Sequence, residues 1–158
     1  MSMDLAAFMS ASLAPREADL EGPAVAQLAP FFPAGEVPRL RVRALTGAEI
    51  YRAAEARHSA ELRAAIADAL AGGSRQEIAD AIREAIGVGE SVPAAMAVAI
   101  SKLVHGSVDP KLDQDQVVRM FKLWPIVAVA AASLIDRLNN QGPDLGNCPG
   151  STPTPPSA

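Results

Sequence analysis

The chain has 158 residues, with 14 basic against 18 acidic side chains and a net charge of -4, long enough for one domain with a real core plus tails and too short for two ordinary domains. Aromatic residues make up only 4% while alanine is abundant, so core side chains are small and helices can approach closely, which favours helix packed on helix over a sheet sandwich. No face or tail gathers the Lys and Arg, which excludes the electrostatic footprint of a nucleic-acid binder; the lone Cys148 excludes an internal disulfide or a cysteine zinc cluster and fits a reducing cytoplasm.

Residues 3–13 read as a short amphipathic helix with Leu5, Phe8, Met9 and Leu13 on one side, too short to hold without a partner to dock on. Asp4 follows the start at once, so no secretory leader is expected. Between Pro15 and Pro38 five prolines and two glycines remove backbone donors and fix φ, and the stretch is expected to run as an extended connector with Phe31 and Phe32 tucked against something. Leu40, Val42 and Ala44 then alternate with Arg39, Arg41 and Arg43, the period of a strand with one buried and one basic face. The rest of the chain is poor in strand signals, so a second copy or a partner protein is expected to supply the missing edge.

Thr46 and Glu49 are spaced as a capping box and open a helix. Its apolar face runs through Ile50, Ala54, Leu62, Ile66 and Leu70 to a stop at Gly72-Gly73, with His58 half-buried on the same stripe. Ser74 and Glu77 repeat the box and begin a second helix through Ile78, Ile82, Ala85 and Ile86, the two forming a hairpin. Pro93 opens a third helix, with Met96, Ile100, Leu103 and Val104 inward and Gly106 as its close. Asp109-Pro110 turns the chain, and Asp113 or Asp115 caps the final helical pair.

In that pair Val117, Phe121, Trp124, Ala128, Ala131, Ile135 and Leu138 recur at intervals of four and three, one stripe on one helix face. Pro125 lacks an N–H and clashes with the carbonyl of Phe121, so the stripe is expected to kink or split near Trp124. The apolar run 123–135 falls short of the ~20 residues a spanning helix needs, which makes it a buried or interface helix and not a membrane anchor. From 139 onward five prolines and three glycines leave almost nothing to bury, and the tail reads as disordered. The expected architecture is mainly α: an N-terminal segment 1–37, a domain 38–142 of about five helices with one short strand, and a disordered Pro-rich tail 143–158.

The chemistry expected from this pattern is recognition. His105 falls in the last turn of the third helix, where it complements the helix dipole. No nucleophile elbow, His-Glu-x-x-His or phosphate loop is present, and Asp109, Asp113 and Asp115 lack the glycine and closing glutamate of a calcium loop. No catalytic, cofactor-binding or metal-binding residue is therefore assigned, and the chain is not expected to be an enzyme. Two features are left as candidate partner-binding elements: the basic stripe Arg39, Arg41 and Arg43, which is either a solvated strand face or a match for an acidic groove, and the seam Val117, Phe121, Trp124, Ala128, Ala131 and Ile135, which is either a core helix or a groove for a partner's apolar helices.

The order of these pieces resembles a known family. The strand Arg41-Val42-Arg43-Ala44 leading into Leu45-Thr46 and Glu49, then Gly106-Ser107-Val108-Asp109-Pro110, a helix, Trp124-Pro125 and a closing helix ending near Gly142, is similar to the tail assembly chaperones of long-tailed, siphovirus-like bacteriophages and prophages across about residues 38–142. The resemblance implies a non-enzymatic protein of the host cytoplasm that binds the tape measure protein, keeps its long apolar helices from aggregating, recruits tail tube subunits and is absent from the finished tail. It also implies a frameshifted longer form joined after Gly142; a homo-oligomer is expected instead from the unpaired strand 39–45 and from an apolar seam larger than a small helical domain needs. A small helical inhibitor or regulator that blocks a partner, for example a competing phage's tail assembly, is the alternative.

Overall fold

The computed structural model describes residues 3–11, 13–71, 92–141 and 144–145; the second capping-box helix expected after Ser74, and the tail beyond Leu145, lie outside them. Among the described residues the chain is mainly α, with helices α1 (Leu5–Ser10), α2 (Pro23–Ala26), α3 (Gly47–Glu55), α4 (Ala60–Ala71), α5 (Val92–Gly106), α6 (Gln114–Leu123) and α7 (Pro125–Asn140). Strands β1 (Leu13–Ala14), β2 (Glu17–Leu20), β3 (Leu40–Arg43), β4 (Ser107–Asp109) and β5 (Asp144–Leu145) complete it.

Helix α5 is the centre. It is apolar nearly all round, burying Ala95, Met96, Ala97, Ala99, Ile100 and Leu103, as a helix packed on several sides must be. It meets α3, α4, α6, α7 and β3. Its Ala95 and Ala99 share a cleft with Ala132 of α7, and small side chains there let the two axes come close. Gly106 ends α5 at the tightest point: a Cβ there would lie 2.6 Å from Ile135 Cδ1 and 3.2 Å from the carbonyl oxygen of Arg43. The cation that closes α5 is Lys111, whose Nζ donates to the carbonyls of Val104, His105 and Ser107. Burial, with Arg43 nearby, holds that ammonium below the usual lysine range.

The helix boundaries follow from local chemistry. The capping box at Thr46 and Glu49 forms, and a second one forms between Asp113 and Gln116. Trp124 is at once the last cap of α6 and the first of α7, with Pro125 in the first turn where its missing N–H costs nothing. The single helix expected from Thr46 to Gly72 is broken instead. A 3-10 turn over Ala56–His58 intervenes, because the Ser59 hydroxyl accepts from Leu62 N–H and restarts the chain as a new N-cap. His58 consequently points to solvent rather than along the apolar stripe, and Ile50 is 46% exposed.

The largest departure concerns β3, which needs no foreign edge. Its own chain flanks it on both sides in the order β2-β3-β4, antiparallel throughout. Strand β2 and helix α2 lie inside the stretch expected to be a plain connector. The reason is charge register: Glu17, Ala18, Asp19 and Leu20 stand opposite Arg43, Val42, Arg41 and Leu40, so acid meets base on one face while Val42 and Leu40 are buried on the other. The tail also departs from expectation within the described residues, since Asp144 and Leu145 pair with Ala14 and Leu13.

Glu49 carries much of the local electrostatics. It accepts from both guanidinium nitrogens of Arg43, at 2.7 and 3.0 Å, and from Thr46 N–H; these bonds, with Arg43 first, outweigh burial and lower its carboxyl to about 2. Since the folded-state value lies below the unfolded one, the stabilisation is present above the ordinary carboxylate range and is lost as pH falls toward about 2. Glu49→Gln should cost on the order of 2 kcal/mol in chemical denaturation at pH 7. The gap from the native chain should close between pH ~4.5 and ~2, and a gap that does not change with pH contradicts this account.

Candidate functional site

The two candidate features fall in different environments. Within β3, the Arg41 guanidinium donates to both oxygens of Asp19, at 2.8 and 3.1 Å, and draws further on the charge of Asp109. That pair holds the Asp19 carboxyl below its usual range. Arg43 is taken by Glu49 and by the carbonyl of Ala44. The stripe read as Arg39, Arg41 and Arg43 is therefore matched by acids of the same chain at two of its three positions. Arg39 is exposed at the start of the strand.

The seam is interior. Val117, Phe121, Ala128, Ala131 and Ile135 are all 0% exposed, packed between α6 and α7 and against α5 and the sheet. They serve this chain's own core, and a partner meeting the folded molecule reaches only Trp124, which is half-buried. Of the two readings of the seam, these residues follow the core helix, and only Trp124 remains within a partner's reach. The cause is α5, which occupies the place a visiting helix would have taken.

Around Trp124 the structure builds a different receptacle. Helix α6 contributes Gln116, Arg119 and Met120, with Trp124 at its end; the turn after β4 contributes Pro110 and Leu112; β3 contributes Leu40; and the segment after α2 contributes Leu28, Phe31 and Phe32. Together they line an open groove of about 440 Å³. Phe31 and Trp124 stand edge to face with ring centroids 5.3 Å apart, a favoured aromatic geometry worth roughly 0.5–1.5 kcal/mol. Phe31 is nonetheless 69% exposed. The floor is apolar and the polar rim is narrow: Asp109 faces Arg41, while Arg119 makes no ion pair among the described residues.

From the sequence Trp124 stands out, and Phe31 and Phe32 are expected to tuck against something; Phe32 packs against the core and Phe31 meets Trp124 while 69% exposed, and the remaining wall residues are not singled out. Met120 and Arg119 stand next to the stripe but not on it, and Leu28 to Phe32 lie in the supposed connector. A signal was present in Phe31-Phe32, two aromatics in a Pro-rich segment of a chain that has four phenylalanines. Among the described residues no three His, Cys, Asp or Glu side chains are placed to share a metal ion, and no helix is long and apolar enough to cross a membrane. Comparison with protein-family models, with curated proteins and with solved structures finds no match.

Wall and core should separate by mutation. Phe121→Ala removes the largest fully buried side chain among the described residues and should cost about 3–5 kcal/mol in urea denaturation. Phe31→Ala, at an exposed position, should cost no more than about 1.5 kcal/mol. Equal losses at the two sites contradict the assignment of Phe31 to a surface groove.

Proposed function

We propose that this chain is a tail assembly chaperone of a long-tailed bacteriophage or prophage, acting without catalysis in the host cytoplasm. It binds apolar helices of the tape measure protein, recruits tail tube subunits, and leaves before the tail is complete. Two things support the reading. One is the order of segments that carries the family resemblance, from the β3 strand and the Thr46 cap through Gly106–Pro110 to Trp124-Pro125. The other, which carries most of the weight, is the aromatic-walled groove at Trp124.

That groove has the chemistry a long apolar helix requires. An amphipathic helix lays its i, i+3, i+4 side chains into an apolar cleft and leaves its polar face to the rim. Met120 in the floor adapts to varied side chains. The rings of Phe31 and Trp124 supply area with few rotamers to freeze, as binding hot spots do. Arg119 at the rim gives such a helix a charge to orient against. A frameshifted longer form would join after Gly142 and so follow α7 at its end away from Trp124.

The alternative is an inhibitor that uses the same groove to block a partner without assembling anything. Co-expression separates the two. With the tape measure protein of the same genome, the chain should keep that protein in the soluble fraction and co-purify with it, and Phe31→Asp should remove most of both effects while the variant itself stays folded. A tape measure protein equally insoluble with and without the chain contradicts the proposal. If the chain instead halts tail formation by an unrelated phage while leaving its own tape measure protein insoluble, the inhibitor reading replaces it.

A further inference from the structure

We propose that the N-terminal helix α1 of one copy docks in the aromatic groove of a second copy. Helix α1 buries none of its residues. Leu5, Phe8 and Met9 are 67%, 53% and 80% exposed, and Met3 just before them 63%. Leu5, Phe8 and Met9 stand at i, i+3 and i+4, one face of the helix. A helix of this length does not hold by itself in water, although Asp4 caps it by accepting from Ala7 N–H. Among the described residues, the apolar face of α1 has no cover and the apolar groove has no filling.

The covalent path keeps α1 away from its own groove. Leu13 and Ala14 are pinned to β5, just past the end of α7, and Arg16 to Ala18 lie beside Leu134, Leu138 and Gln141 of that same end. The groove is at the opposite end, at Trp124, where α7 begins. Between Trp124 and Leu138 the helix axis covers roughly 20 Å. Residues 11–12 join α1 to β1 and reach about 10 Å at full extension; the six residues of α1 add about 9 Å along its axis, so Leu5 at best approaches the groove while Phe8 and Met9 fall well short of it. A neighbouring copy has no such tether.

Charge selects the fit. The N-cap of α1 is its acid, Asp4; among the described residues lining the groove Arg119 is the cation and makes no ion pair, while the acid of the rim, Asp109, faces Arg41. Reciprocal exchange of α1 between two copies closes on itself as a two-fold dimer. If the proposed function also holds, a tape measure helix displaces α1, so that self-association masks the groove until a client arrives. That consequence rests on the proposed function; the docking does not.

The test uses the full chain without any client. Sedimentation velocity should show a concentration-dependent dimer, and Phe8→Asp, on the exposed face of α1, should weaken it at least tenfold, with unchanged circular dichroism. Arg119→Glu should weaken it several-fold. A mixture of Phe8→Asp chains with Phe31→Asp chains should form a mixed dimer through the single intact helix-and-groove pair. A monomer at 100 μM, an association unmoved by Phe8→Asp, or crosslinks from α1 to the groove that persist at concentrations where the chain is monomeric each overturn the proposal. Client capture that survives Phe8→Asp, and fails with Phe31→Asp, keeps the outcome for α1 separate from that for the tape measure protein.

Discussion

The fold depends on a close approach at Gly106. There the end of α5 presses against Ile135 in the middle of α7 and against the backbone of β3 at Arg43, with no space for even a methyl group. Because the chain passes straight from this contact into β4, the helical core and the sheet are fixed to each other within one residue. The same junction is secured from other sides. Leu45 N–H donates to Asn139 Oδ1 at 2.7 Å, tying the exit of β3 to the far end of α7, and the buried Ser107 hydroxyl accepts from Leu112 N–H. Buried polar groups left unpaired here would each cost on the order of 1–3 kcal/mol.

This junction determines what the surface can offer. With β4 set on one side of β3 and β2 on the other, the strand's edges are used within the chain, and Arg41 and Arg43 are matched by Asp19 and Glu49. With α5 in the middle, the long apolar stripe of α6 and α7 is consumed as core. Among the described residues, the groove at Trp124 and the apolar face of α1 escape both constraints. The inference of mutual docking rests on these leftovers, and the reading as a chaperone rests on the groove together with the order of segments that carries the family resemblance.

Elements set by local chemistry are legible in the amino-acid order alone. The Thr46–Glu49 box, the cap at Asp113, the division at Trp124-Pro125 and the stop at Gly106 each follow from a hydrogen bond, a missing N–H or a close contact that names its own residue. Elements set by pairing are not. Strand β2 has an alternation as clear as that of β3, but Pro15 and Gly22 on either side make Glu17–Leu20 look like connector, and only the charge register with Arg41 and Arg43 reveals it. Strand β4 is too short to show a period. The break at Ser59 rests on a single hydroxyl competing with helix continuation. The groove is legible only at Trp124 and in Phe31-Phe32, because its walls come from four separated stretches of chain and no sequence period joins them.

The central claim is that the groove at Trp124 is where an apolar client helix binds. Hydrogen exchange of the full chain, with and without a soluble helical segment of the tape measure protein, tests it most directly. The account predicts slowed exchange at residues 28–32 and 109–124, with the outward side of α5 and α7 around Lys102 and Asp136 unchanged. Protection centred on Lys102 and Asp136, or none anywhere at a saturating concentration of the segment, would contradict it.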